Sequence, residues 1–218
     1  MVSNDEMIDC FSVESLVYAH QEKLENIEIP DMTKEFISNT GFPHVVSYFR
    51  FSMNFEPLST DPKIGESVKH LGKLFTIGCQ GASQLIGRFV HLSEIGLSRN
   101  SSLSDIGEKI RELEISDAIF CAEVAMAPRM CIDLENSNQI VLINPLDLSI
   151  AFLNSSIQKL ASSIVAYQRN FLANPQGDRD LVRLAEDLKH IDIQIFDSPN
   201  TIWMQVIEAL ERDTEGYS

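Results

Sequence analysis

The residues from Arg129 to Tyr167 constrain the fold more than any other part of the chain. Met130 to Leu134 and Gln139 to Ile143 are short apolar runs rich in Ile and Val, and Glu135-Asn136-Ser137-Asn138 separates them. Asn and Ser accept the positive backbone angles of a tight connection, so this pattern predicts a β-hairpin. Pro145 has no backbone N–H to give to a ladder and ends the second strand. Ser155 and Gln158 have the spacing of a capping box, which predicts a helix starting there. Ile157, Leu160, Ile164 and Tyr167 recur at helical spacing with Val165 beside them, giving that helix one apolar face. A hairpin feeding a capped amphipathic helix is the predicted centre of the fold.

Upstream, Val13, Leu16, Val17, His20 and Leu24 follow a 3.6-residue period, which predicts a helix over about 12–27 with His20 at the edge of the core. Asp31 is placed to cap a short helix through Phe36 and Ile37, closed by Asn39-Thr40-Gly41 with glycine in the left-handed region. Phe42-Pro43 leads into a strand from His44 to Met53, in which Val45, Ser47, Phe49, Phe51 and Met53 point one way. Residues 54–65 read as a loop, and Val68 to Cys79 as one or two strands ending at Gly78 and Gly81. Within 82–127, Leu103, Ile106, Ile110 and Leu113 predict a helix, and Phe120 to Met126 is a short apolar run. Downstream, Asp178 to His190 is predicted helical with Leu181, Leu184, Ala185 and Leu188 inward. Ser198 and Pro199 are placed to start a last helix that buries Ile202, Trp203, Val206, Ile207 and Leu210. Helices alternating with hairpin segments predict an α+β domain, a central antiparallel sheet of about five or six strands with helices packed on it.

A chain of 218 residues, 44% hydrophobic, can bury a full core without disulfide or metal. Its four cysteines, Cys10, Cys79, Cys121 and Cys131, form no C-x-x-C pair and read as reduced thiols. The acidic start resembles no signal peptide and no run reaches membrane-spanning length, which predicts a cytoplasmic protein away from membranes. The net charge of −15 is concentrated at the ends. Residues 1–35 hold nine acids against Lys23 and Lys34, and residues 178–218 hold ten against four bases. Phosphates would be repelled by such surfaces, which argues against direct nucleic-acid binding. Acidic helices serve either solubility or the docking of a basic partner.

The familiar catalytic patterns are missing from the sequence: no G-x-G-x-x-G, no G-x-x-x-x-G-K-[ST], no H-E-x-x-H and no G-x-S-x-G. His91 and Glu94 stand three apart but lack a third ligand at compatible spacing. Asp133 reads as a strand-end carboxylate capping a turn, and Trp203 as core. The sequence therefore predicts no catalytic residue, no metal site and no cofactor.

Three separated regions together resemble the SUKH superfamily of bacterial immunity proteins, in particular its fourth branch. They are Pro30 to Phe51, with its short helix and Gly41-Phe42-Pro43 turn into a strand; Cys131-Ile132-Asp133 to Val141, with Phe152-Leu153-Asn154-Ser155-Ser156 opening a helix; and Ile191-Asp192 to Glu211, with Trp203 and a Leu- and Glu-rich helix. The resemblance implies one SUKH-like domain over 1–218, with an extra segment at about 82–127. It also implies a non-catalytic inhibitor that binds a cognate toxin, such as a secreted nuclease or other polymorphic toxin, with a basic surface. Glu22, Glu25, Glu28, Asp187 and Asp192 are the candidate contacts by charge. An intracellular adaptor using the same fold is the alternative.

Overall fold

A computed structural model describes residues 2–46, 49–62, 64–80, 127–173, 180–197 and 201–215. The predicted helix in 103–113, the run Phe120–Met126, Cys121, His91 and Glu94, and the Ser198-Pro199 cap lie outside the described residues.

The chain opens with helix α1 (Asn4–Phe11), whose Ser3 and Glu6 form a reciprocal capping box. The helix predicted over 12–27 is absent. Leu16–Val17 is instead strand β1, and helix α2 is only Gln21–Glu25. β1 pairs antiparallel with β2 (Phe42–Pro43), and this distant pairing overrides the helical period of its residues. Val13, expected inside, and His20, expected at the edge of the core, are both exposed. Helix α3 (Asp31–Asn39) forms and buries Phe36 and Ile37, but Asp31 is its first residue rather than its cap, since Pro30 holds the N-cap position and no side chain caps it. Gly41 does not take the left-handed conformation. Its reason is close approach, since a Cβ there would lie 2.7 Å from the Tyr18 ring.

The main sheet is an antiparallel six-stranded meander in the order β3-β4-β5-β6-β7-β8. Its strands are β3 (Val45–Val46), β4 (Phe49–Pro57), β5 (Leu74–Gln80), β6 (Arg129–Asp133), β7 (Gln139–Ile143) and β8 (Ile150–Asn154). The single strand predicted from His44 to Met53 is two paired strands, with Val46 facing Phe49 and Val45 exposed. β4 continues into the predicted loop as far as Pro57, through a bulge in which Met53 and Phe55 both take φ of 51°. Helix α4 (Gly65–Val68) and a 3-10 turn occupy the start of the predicted Val68–Cys79 strand.

The central hairpin matches the expectation within a residue. Its turn holds Ser137 and Asn138 at φ 58° and 59°. Asp133 accepts hydrogen bonds from the N–H groups of Glu135 and Asn136 and from Asn136 Nδ2, the turn-capping role read from sequence. β8 was not anticipated, because Phe152 to Asn154 read as the lead-in to a helix. The helix that follows, α5 (Ile157–Ala173), is capped by Ser156, whose Oγ accepts from Lys159 N–H at 3.2 Å. The Ser155–Gln158 capping box does not form, since Ser155 is committed to Asp192 and Gln158 donates to Thr33.

Helices α6 (Leu181–Ile191) and α7 (Ile202–Glu215) complete the described structure, with Asp180 capping α6. One sheet face carries Phe49, Phe51, Ile77, Met130, Ile132, Ile140 and Leu142, packed with Leu160 and Ile164 of α5, Leu184 and Leu188 of α6, and Trp203 and Val206 of α7. Each large apolar side chain so buried contributes on the order of 1.5–3 kcal/mol. The other face holds a smaller cluster of Cys131, Val141 and Ile143 under Leu58, Ile64 and Val68. Asp61 and Arg129 form an ion pair of 2.8 Å there, with side chains 15% and 13% exposed. Burial pushes the Cys131 thiol up to about 12, so this cysteine behaves as a small apolar residue.

Candidate functional site

The motif residues carried by distant segments converge on one point, and that point is internal. β8 ends at Asn154, which is fully buried; α5 begins just beyond it; α6 ends at Ile191, beside Asp192; α7 brings in Trp203. Asn154 Nδ2 donates to Ser163 Oγ at 3.1 Å and to Asp192 Oδ2 at 3.3 Å, while its Oδ1 accepts from Trp203 Nε1 at 2.9 Å. Asp192 also accepts from Ser155 N–H at 2.7 Å and from Ser155 Oγ at 3.1 Å. Lys159 Nζ lies 3.2 Å from Asp192 Oδ1 and supplies the counter-charge, remaining 42% exposed itself. A carboxylate held by neutral donors and one cation in this way is stabilised in place, and no lone pair is left to act on an outside ligand.

This corrects one of the expected contacts. Asp192 is 1% exposed and ties the end of α6 to the β8–α5 junction, so it offers nothing to a docking protein. Asp187 is half-buried on α6 and reaches toward Arg183 at 4.0 Å. It lines a cleft of about 480 Å³ between α5 and α6, together with Arg169, Arg183, His190 and Asp180. The cations of that cleft are matched by acids: Arg169 pairs with Glu6 and Arg183 with Asp187. Its electrostatics therefore favour no ion of either sign.

The remaining three expected contacts are exposed, and Glu25 and Glu28 line separate clefts. Glu22 and Glu25 are exposed on α2, and Glu28 follows it. Glu28 pairs with Lys73 at 2.8 Å, and that hydrogen bond holds its carboxyl below the ordinary glutamate range and raises the Lys73 ammonium. Helix α3 carries exposed Asp31 and Glu35. A groove of roughly 410 Å³ runs between α2 and α3, lined by Leu24, Glu25, Lys34, Glu35 and Ser38. Met32, 73% exposed, stands on α3 beside these carboxylates as a bare apolar side chain. Sequence reasoning did not single out Asp31, Met32 and Glu35 as contacts, although the helical wheel of α3 turns Asp31 and Glu35 away from Phe36 and Ile37. The carboxylates of Glu25 and Asp187 line separate clefts, so the structure does not unite the five expected residues in one site.

Among the described residues no group of three or more His, Cys, Asp or Glu side chains is arranged to hold a metal ion. No described helix is long and apolar enough to cross a membrane. Comparison of the chain with family models, with curated proteins and with solved structures finds no match.

Proposed function

We propose that this chain is a non-catalytic immunity protein of the SUKH type, which binds a cognate bacterial toxin protein with a basic surface and blocks it by occupying its active site or substrate groove. The observation that carries this reading is the groove between α2 and α3, lined by Glu25 and Glu35 together with Lys34, with exposed Glu22 on α2 and exposed Asp31 and Met32 on α3. Carboxylates around an apolar anchor match the chemistry of a basic partner: the charges speed the encounter, and the buried apolar contact slows dissociation. A standard interface of about 800 Å² per partner is larger than this face and would extend beyond it. The convergence of Asn154, Ser155, Asp192 and Trp203 adds support, because it gives one physical reason for the co-occurrence of motif residues far apart in the chain.

The test is co-expression with the product of the neighbouring open reading frame in a bacterial host, scored by survival. Rescue by the wild-type chain, lost when Glu22, Glu25, Asp31 and Glu35 are all changed to Lys in a variant that still folds, is the expected result. A harmless neighbour, or rescue indifferent to the charge reversal, overturns it. A harmless neighbour would leave a protein-binding adaptor as the reading to pursue by pull-down.

A further inference from the structure

Gln21, Leu24 and Glu25 of α2 and Lys34, Glu35 and Ser38 of α3 line one groove, and it carries charges of both signs. The three- and four-residue spacings within each set bring these side chains to one face of their helix. The nearly buried Leu24 supplies apolar lining, while Glu25 and Glu35 are exposed and Lys34 is half-buried.

Lys34 runs against the sign of its surroundings and is not neutralised by them. Among the described residues its ammonium has no ion-pair or hydrogen-bond partner, and neither have the carboxylates of Glu25 and Glu35. An acid is within reach, since Asp31 stands one turn earlier on α3. Glu66 and Lys69 have the same order and spacing and close to 2.7 Å, and Lys73 finds Glu28 at 2.8 Å. The Asp31–Lys34 pair stays open. The groove thus presents two carboxylates and one ammonium separately to whatever enters it. Were attraction of a basic surface its sole task, this cation would work against it, because like charges juxtaposed across an interface cost affinity.

We propose that Lys34 sets the specificity of this groove. It admits a partner that offers a carboxylate to its ammonium alongside the cationic groups offered to Glu25 and Glu35, and it repels a surface that is basic throughout. The inference rests on the toxin-binding reading and narrows it: the negative field of the chain draws basic proteins in, and Lys34 separates the cognate toxin from the rest. Lysine suits the task because its ammonium rides on a flexible stem and turns its donors freely, so it meets a carboxylate without the fixed fork geometry of arginine.

The experiment measures, by calorimetry at physiological salt, binding of the full chain to the purified toxin product of the neighbouring open reading frame and to an oligolysine peptide as a uniformly basic probe. Lys34→Glu should weaken toxin binding at least about tenfold while strengthening oligolysine binding, and Lys34→Arg should keep both near wild type. Equal urea midpoints for the three chains show that binding rather than folding has moved. Unchanged or tighter toxin binding by Lys34→Glu overturns the inference, because net charge alone then governs the groove. The joint change of Glu22, Glu25, Asp31 and Glu35 to Lys separates this from failure of the reading itself. If that variant loses the toxin and Lys34→Glu does not, the specificity role falls and the reading stands. A product bound by none of the chains, or bound equally by all of them, overturns both.

Discussion

Trp203 Nε1–H donates to Asn154 Oδ1 at 2.9 Å, joining the last helix to the last strand through two side chains that are 1% and 0% exposed. The amide of Asn154 has little spare capacity, because its Nδ2 donates to Ser163 and Asp192. Asn154→Ala would strand the indole N–H and take a donor from a buried carboxylate. The expected loss is about 2–4 kcal/mol. Urea unfolding measures it, and a double-mutant cycle with Trp203→Phe should show coupling, since both changes remove the same bond.

Asp192→Ala removes the acceptor shared by Ser155 N–H, Ser155 Oγ, Asn154 Nδ2 and Lys159 Nζ. Lys159 is exposed enough to turn to water, so the cost comes mainly from the buried neutral donors, again about 2–4 kcal/mol. The unfolding free energy should fall accordingly, whereas Glu22→Ala, at an exposed site, should leave it within about 0.5 kcal/mol of wild type. Equal effects of the two changes would contradict the placement of these acids.

Gly78 lies inside β5, where a Cβ would stand 2.1 Å from the Arg50 carbonyl oxygen on β4. Backbone cannot give way as a flexible side chain can. Gly78→Ala should therefore force β4 and β5 apart and cost on the order of 1–3 kcal/mol, read as a lower urea midpoint.

Glu6 gives a pH signature. The Ser3 N–H, and then Arg169, hold its carboxyl below the ordinary glutamate value. A lowered folded-state value stabilises the fold above the ordinary value of about 4.3, and the contribution fades as pH falls through the folded value. The stability gap between wild type and Glu6→Gln should thus be open at pH 6 and close progressively below about pH 4.3, measured as urea midpoints across that range.

The elements legible in the sequence were those whose instructions are local. The β6–β7 hairpin announced itself through two apolar runs around residues that accept left-handed angles, and Ser137 and Asn138 adopt them. The buried faces of α5 and α7 followed from helical spacing alone, with Ile157, Leu160, Ile164, Ile202, Trp203, Val206 and Leu210 all inside. The exposure of Glu22, Glu25 and Glu28 was legible because charge on a short polar segment has nowhere to go but water.

What the tertiary structure decided was everything that depends on a distant partner. Leu16 and Val17 have a helical period, yet they lie in a strand because Phe42 and Pro43 are there to pair with them. Asp192 has the same chemistry as Glu22, yet one is sealed inside and the other solvated. The difference is the meeting of the end of α6 with Ser155 and Asn154, far away in sequence. A residue's type and spacing determine which face of its own element it occupies. Whether that face meets water or another element is settled only when the whole chain packs, because burial is a property of the pair that meets and not of either residue alone.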